Sequence, residues 1–407
     1  MQSSKASESI SKNVRPPRLP TNVRLLGMAS LLNDVASERV YPLLPQFLLT
    51  VLGGNRFQIG VIEGIAESVA SLLKLASGDW SDRLGRRKEL VVAGYALAAL
   101  TRPVVALVAA PWQLFSLRVL DRAGKGVRTA PRDAMIADSA DPAIRGRAFG
   151  FHRAMDHLGA GIGPLLAAAF LFAFPTHLRT LFLLTLVPGL AVVAVLAFGL
   201  RETRSQPPPA GPGDDAQGPL IPRVRYYIAT AFLFTLGNSN DAFLLVRASE
   251  LGMLTLMLPL LWTAFHAVKS AGNLLAGPAV DQHGPRRLII AGWVWYALIY
   301  AGFGLATAAW QVWLLFLAYA LFYAVSEPAE RTYVSALSCS ANRGRAFGWF
   351  NFAIGIGALP ASLLFGWLYQ QYGPLLALGW GAVLALVAAV LLALQGPQAL
   401  DDQTAIK

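Results

Sequence analysis

The chain has 407 residues, of which 55% are hydrophobic and 14% are charged, and its mean hydropathy is +0.50. This composition indicates a membrane protein with many spans, and it excludes a secreted mini-protein, a disordered chain and an enzyme with a single anchor. The net charge of +11 does not indicate nucleic-acid binding, because Lys and Arg lie in short clusters between apolar stretches. The lone cysteine, Cys339, excludes an internal disulfide and a multi-cysteine metal site.

Apolar stretches alternate with polar loops along the chain, and each stretch is long enough for one span. The twelve stretches, numbered here as spans 1 to 12, are 22–51, 57–79, 88–109, 112–138, 146–172, 178–200, 224–250, 254–277, 287–308, 311–338, 345–369 and 373–395. We expect a basic cytoplasmic tail at 1–21, a six-helix bundle at 22–200, a cytoplasmic linker at 201–222, a second six-helix bundle at 223–395 and a cytoplasmic tail at 396–407. The first tail lacks the apolar core of a signal peptide, and the Pro- and Gly-rich linker cannot cross a membrane.

Lys and Arg are concentrated in every second loop, and cytoplasmic loops of membrane proteins are positively charged. The basic set comprises Arg24, Arg83, Arg86, Arg87, Lys88, Arg145, Arg147, Arg201, Arg204, Arg223, Arg225, Arg286, Arg287, Arg343 and Arg345. The other loops offer little beyond Arg56, Arg179 and Arg247. We therefore expect the basic loops, the linker and both termini to lie in the cytoplasm, with the chain in the inner membrane of a bacterium.

Two sequence motifs recur in the second half of the chain. RGRAFG occurs at 145–150 and again at 343–348, and GDWSDRLGRRK at 78–88 is echoed by GPAVDQHGPRR at 277–287. The offsets are 198 and 199 residues, so the two halves are related by an internal repeat. Both copies fall on the basic side, which predicts halves with the same orientation, related by an axis along the membrane normal.

The loop GDWSDRLGRRK resembles the signature loop between the second and third helices of the major facilitator superfamily (MFS). The resemblance implies an all-α integral membrane protein with twelve transmembrane helices in two pseudo-symmetric six-helix bundles. It also implies that this loop holds the cytoplasmic gate closed, although the loop could instead serve only to set orientation. The gating candidates are Gly78, Asp82, Arg83, Gly85, Arg86 and Arg87 in the first copy, and Asp281, Arg286 and Arg287 in the second.

Span 5 is similar in spacing to the antiporter motif of the same family, through Gly150, Gly159, Gly163 and Pro164. The small residues predict close helix contact along the interface between the halves, and Pro164 predicts a pivot. Ordinary small-residue packing explains the spacing nearly as well. Among MFS branches, the proton-coupled drug and metabolite antiporters are the most similar in their motifs.

Span 4 carries several basic residues at membrane depth, and Arg122 and Lys125 resemble the Arg and Gln of the fourth-helix motif of the family. Charges at this depth must face a wet cavity or a partner. We expect Arg122 and Lys125 to contact substrate or protons, and the following segment, 128–138, to belong to the gate. The remaining substrate-path candidates are Asp156, His266, Lys269, Glu327 and Glu330.

Four carboxylates near the middle of their spans are candidates for proton coupling: Asp34, Glu38, Glu67 and Asp241. A carboxylate in a low-dielectric cavity can take up a proton in one conformation and release it in another. For each acidic group the alternative is a buried ion pair that only fixes helix register, for instance Glu330 with Arg331 or Lys269.

The resemblance implies a transporter that moves a small organic solute by rocker-switch alternating access, most simply by proton-coupled export. Import or exchange of an anionic or zwitterionic solute is the alternative, and a non-transporting membrane sensor is a third. No GxxxxGK[ST] or HExxH motif occurs, so we expect no ATPase activity, enzyme activity, cofactor or metal. The expected partners are the solute, protons and the lipid bilayer around a monomer, without nucleic acid.

Overall fold

The computed structural model describes residues 18–44, 47–48, 51–54, 56–174, 177–203, 220–238, 241–253 and 257–395. The predicted terminal tails and most of the predicted linker lie outside these residues. The described part is built from helices and contains no strand.

The first half contains seven helices within the described residues. They are α1 (Thr21–Val40), α2 (Arg56–Leu84), α3 (Arg87–Val104), α4 (Pro111–Ser139), α5 (Arg145–Ala173), α6 (Leu178–Leu183) and α7 (Leu186–Ala194). Helices α1 to α5 fall on predicted spans 1 to 5, and α6 and α7 divide span 6. Helix α1 ends well before residue 51, the expected end of span 1, because Pro42 starts a short 3-10 turn at Tyr41–Leu43.

The second half repeats this order. Its helices are α8 (Pro222–Gly237), α9 (Ala242–Glu250), α10 (Met257–His283), α11 (Pro285–Leu305), α12 (Ala309–Leu337) and α13 (Arg343–Leu394). Helix α13 is interrupted at Gly373, whose φ of 81° is a conformation that favours glycine, and its two parts correspond to spans 11 and 12. The helices are therefore compatible with the twelve predicted spans.

The distribution of polarity is that of a membrane protein. Six helical stretches of the described residues are long and apolar enough to cross a bilayer by length and composition alone. Phe172 and Phe198 point outward and are 92% exposed, whereas Asp133 and His152 are fully buried. Apolar side chains outside and charges inside suit a lipid solvent. The chain is therefore a multi-pass membrane protein.

Two equivalent helix pairs join the halves: α2 packs against α13, and α5 packs against α10. The two RGRAFG copies begin α5 and α13, and the two copies of the signature loop end α2 and α10. The signature-loop end of α2 thus meets the RGRAFG start of α13, and the corresponding end of α10 meets the RGRAFG start of α5. The ends of the helices that carry these motifs are called the basic side below.

The small residues of α5 do not all face the other half, so the expectation of one small-residue interface is corrected. A Cβ on Gly150 would collide with the backbone of Asn273 in α10, whereas one on Gly163 would lie 3.0 Å from the carbonyl oxygen of Val35 in α1. Gly159 likewise packs on α1. Nine residues of an α-helix turn through about 900°, so Gly150 and Gly159 lie on opposite faces.

Candidate functional site

A central cavity of about 290 Å³ lies mainly within the first half, between α1, α2, α4 and α5. Arg331 of α12 and Asn351 of α13 close it from the second half. Nine of its nineteen lining residues are Lys or Arg and four are Asp or Glu. Tyr41 supplies the only large ring among the described lining residues. The cavity is thus strongly polar, with more positive than negative groups.

Arginines on one side of the cavity are paired with carboxylates. Arg118 donates to both oxygens of Glu63 at 2.7 and 2.9 Å and to Asp121 at 3.1 Å. Arg102 donates to the other oxygen of Asp121 at 2.9 Å and to the side-chain oxygen of Asn33 at 3.0 Å. These groups neutralise one another and hold α1, α2, α3 and α4 together.

The proton-coupling candidate Glu67 lies between two cations. Its oxygens are 3.3 Å from Nζ of Lys74 and 3.7 Å from Nε of Arg122. The guanidinium of Arg122 also lies 5.6 Å from the ring centroid of Tyr41. Arg122 and Glu67 are therefore brought together, as an ion pair at the edge of the cavity.

Lys125 and Arg128 line the cavity without an ionic partner. Within the described residues neither has a carboxylate within 4 Å, and Nε and Nη1 of Arg128 have no hydrogen-bond partner. Arg128 is 5% exposed and stacks over the ring of Tyr95 at 4.3 Å. The assignment of 128–138 to the gate is corrected for Arg128 and Arg132, which line the cavity. The three-residue spacing from Lys125 was the signal that could have placed Arg128.

Asp34 and Glu38 face the cavity from α1. Asn33 donates to Asp34 at 2.8 Å, and in the part of the chain that the structure describes neither carboxylate has Lys or Arg within 4 Å. The neighbouring Asp156 is different, because it accepts from Arg153 at 2.7 Å and from Ser30.

Glu327 forms a second polar cluster that crosses between the halves. One oxygen accepts a hydrogen bond from Nε2 of His157 in α5 at 2.9 Å, and the other lies 3.5 Å from Nζ of Lys269 in α10. The ring of His266 lies 5.5 Å from that of His157. Six of the seven substrate-path candidates thus lie in one of these two places: Arg122, Lys125 and Asp156 at the cavity, and His266, Lys269 and Glu327 in this cluster. His157 is the member that the sequence did not single out.

Asp241 and Glu330 are bonded by aromatic side chains. The hydroxyl of Tyr319 donates to Asp241 at 2.8 Å, and the indole nitrogen of Trp293 donates to Glu330 at 3.4 Å. The pairing of Glu330 with Arg331 or Lys269 is not found. Arg331 lies 3.6 Å from Asp133, and Lys269 approaches Glu327 instead.

Two aspartates close the basic side in equivalent ways. Asp82 at the end of α2 accepts from the backbone N–H groups of Gly344 and Arg345 at 3.0 and 2.7 Å. Asp281 at the end of α10 accepts from those of Gly146 and Arg147 at 2.6 and 2.9 Å. Each carboxylate therefore caps the first turn of a helix in the other half, where the helix dipole favours negative charge.

Close backbone packing accompanies these caps. A Cβ on Gly78 would collide with the carbonyl of Gly344, and one on Gly277 would lie 2.9 Å from the carbonyl oxygen of Gly146. Asp138 adds an ionic bridge, since it contacts Arg87 of the first half and Arg343 of the second. Asp138 lies in the segment 128–138 that the sequence assigned to the gate, whereas Arg343 was not among the gating candidates.

The remaining gating candidates have contacts within their own halves. Arg83 pairs with Asp79, Arg86 pairs with Glu89, and Arg286 donates to the carbonyl of Ala393. Gly85 adopts φ of 62° in the loop, and Arg287 is exposed. In contrast, Gly78, Asp82, Arg87 and Asp281 all touch the opposite half.

A polar cavity mainly within one of two pseudo-symmetric helical bundles, with the bundles joined at one end by equivalent helix caps, is an arrangement typical of a membrane transporter. The family model of the Major Facilitator Superfamily matches residues 26–261 and 227–405. The chain therefore belongs to the major facilitator superfamily, whose members are transporters and not enzymes.

Individual relatives and solved structures agree with this family. An uncharacterized MFS-type transporter of Methanocaldococcus jannaschii is 30% identical, over 95% of this chain and 98% of the relative. The multidrug resistance protein MdtG of Salmonella arizonae is 31% identical over 39% of each chain. The human organic anion transporter MFSD10 has a TM-score of 0.79 at 17% identity, covering 93% of this chain and 100% of its own. The E. coli fucose:proton symporter FucP has a TM-score of 0.73 at 15% identity, covering 92% and 98%. The two structures show the fold alone.

Proposed function

We propose that this chain is a secondary transporter that carries a small, hydrophilic solute with an anionic group through the central cavity. The observation that carries the proposal is the pair of cations, Lys125 and Arg128, that line the cavity without an ionic partner within the described residues. An unpaired buried cation is costly, and an anionic ligand supplies its missing partner. The scarcity of apolar lining argues against a lipophilic drug.

We infer that the basic side is cytoplasmic and that the boundaries at 22–200 and 223–395 separate two bundles that rock against each other. The positive-inside rule supports this orientation, which would place the chain in the inner membrane with both termini in the cytoplasm. In the state described here the basic side is closed, so the cavity would exchange solute with the opposite side.

Coupling to protons is part of the proposal, and moving one charge across 100 mV provides roughly 2.3 kcal/mol. Asp34, Glu38 and Asp241 are the better candidates, because Glu67 is occupied by Lys74 and Arg122. Export by antiport is the second candidate function, which the multidrug resistance protein MdtG among the relatives supports. Import or exchange of the same solute would use the same cavity.

A thermal-stability screen of the detergent-purified protein tests the substrate class, because a ligand that binds the folded state raises its melting temperature. The probes are succinate and glucose 6-phosphate as anions, tetraethylammonium and choline as cations, and glucose as a neutral solute. We expect anions to stabilise the protein and Lys125→Met to weaken that binding at least tenfold. Arg24→Met is the matched control, since Arg24 is exposed on the basic side and hydrogen-bonds only locally to Thr21.

Stabilisation by cations without stabilisation by anions would overturn the proposal. Unchanged anion affinity in Lys125→Met would assign Lys125 a structural role.

A further inference from the structure

We propose that the transported solute carries a cationic group as well as its anionic group, and that it binds between an acidic wall on α1 and a basic wall on α4. The inference rests on the proposed function and narrows its substrate class to small zwitterions of amino-acid size. The acidic wall is formed by Asp34 and Glu38, and the basic wall by Lys125 and Arg128.

Each wall is built by helical spacing. Asp34 and Glu38 are four residues apart and Lys125 and Arg128 are three apart, so each pair projects from one face of its helix. All four side chains line the same cavity. The two walls therefore face a common space from different helices.

The walls do not neutralise each other directly. Within the described residues, none of the four groups has an oppositely charged side chain within 4 Å, although other charged residues around the cavity are paired at 2.7 to 3.7 Å. Arg128 keeps two guanidinium nitrogens without a hydrogen-bond partner at 5% exposure. Two unpaired positive and two unpaired negative groups thus remain around the cavity.

A purely anionic solute supplies an oppositely charged partner only to the basic wall. When it binds to Lys125 and Arg128 it faces the like charges of Asp34 and Glu38 across a small cavity, unless protons neutralise both carboxylates. An ammonium group on the solute removes that repulsion. It also reduces the repulsion between the two adjacent carboxylates of α1. A zwitterion thereby supplies an oppositely charged partner to the acidic wall and to the basic wall at the same time.

The size of the cavity agrees with this class of solute. A volume of about 290 Å³ is roughly ten times the volume of a water molecule in the liquid, which is large enough for an amino acid. The ring of Tyr41 offers one apolar contact for the carbon skeleton between the two charged groups.

Matched ligand triplets test the inference on the purified full-length protein. The probes are the standard L-amino acids, taurine and γ-aminobutyrate, each compared with its des-amino acid and with its uncharged-carboxyl amide. We expect at least one zwitterion to raise the melting temperature and bind at least tenfold more tightly than either of its analogues. Lys125→Met and Glu38→Gln should each weaken that binding at least tenfold, whereas exposed Glu89→Gln should not.

Each alternative outcome has a distinct meaning. If a des-amino acid binds as tightly as its zwitterion, or if Glu38→Gln and Asp34→Asn both leave binding unchanged, the zwitterion inference is overturned and the anion transporter stands. If no probe with an anionic group stabilises the protein, both proposals fail. A misfolded Glu38→Gln is recognised by its melting temperature without ligand, and Asp34→Asn then decides.

Discussion

The variants Asp82→Asn and Asp281→Asn test the two helix caps on the basic side. Each aspartate accepts two backbone N–H groups from the opposite half, so asparagine keeps one acceptor oxygen and loses the negative charge. Asp82 also pairs with Arg87 at 2.8 Å, but both residues belong to the first half, so this pair does not oppose separation of the halves. We therefore expect both variants to favour opening of the basic side to a similar degree.

The magnitude follows from the interactions that disappear. A charge at a helix N-terminus contributes about 0.3–2 kcal/mol, and a hydrogen bond to a charged group contributes about 1.5–3 kcal/mol. For Asp281→Asn a loss of about 2 kcal/mol changes the ratio of closed to open states roughly 30-fold. Asp82→Asn removes the same kind of cap between the halves, so we expect a change of similar size, again about 2 kcal/mol or roughly 30-fold.

The ratio of closed to open states can be measured from the distance between the two halves. Spin labels at Glu89 and Gln282, which are exposed at the basic ends of the two halves, report opening by double electron–electron resonance in a Cys339→Ala background. Asp141→Asn is the control, because Asp141 lies on the same side and its carboxylate caps only the local N–H of Ala143. Closure by helix caps would be refuted if Asp82→Asn gave the same distance distribution as Asp141→Asn.

Two further variants test the interface and the second polar cluster. Gly277→Val should also favour opening, because its side chain would meet the backbone of α5, whereas Gly161→Ala has free space around its Cβ and should leave the same labels unchanged. Glu327→Gln should lower the free energy of unfolding by about 3–5 kcal/mol, because it leaves Lys269 as a buried cation without a carboxylate. Calorimetric melting of the purified protein measures this loss, exposed Glu250→Gln is its control, and equal melting temperatures would contradict the assigned ion pair.

Hydropathy was sufficient to predict where the helices lie, because each span must be apolar on the side that meets lipid. The charged residues were harder to interpret, because their partners come from other helices. Arg118 and Glu63 are 55 residues apart, and Asp281 caps a helix that begins more than 130 residues before it. A sequence without an alignment contains no signal for such pairs, whereas the equivalent positions of the two motif copies follow from the internal repeat.

Within single helices, angular spacing explains both the correct predictions and the misplaced residues. The helical periodicity that places Asp34 and Glu38 on one face also places Gly150 and Gly159 on opposite faces. The expectation of a single interface was wrong because it did not take this periodicity into account. Arg128 was assigned to the gate because of its position along the chain. It follows Lys125 by three residues, however, and this spacing places both side chains on the same face of the helix. In α4 and α5, the direction in which a side chain points therefore determines its role more than its depth in the membrane does.

The number of charged groups around the cavity is itself an argument for function over stability. A buried ion pair contributes little net stability, and apolar side chains of similar size often replace it without loss. In the first half, pairs such as Arg118 with Glu63 and Arg102 with Asp121 lie beside the unpaired Lys125 and Arg128. The paired residues hold the helices around a polar space, and under the proposed function the unpaired ones contact the solute. A fold optimised only for stability in lipid would have filled this volume with apolar side chains.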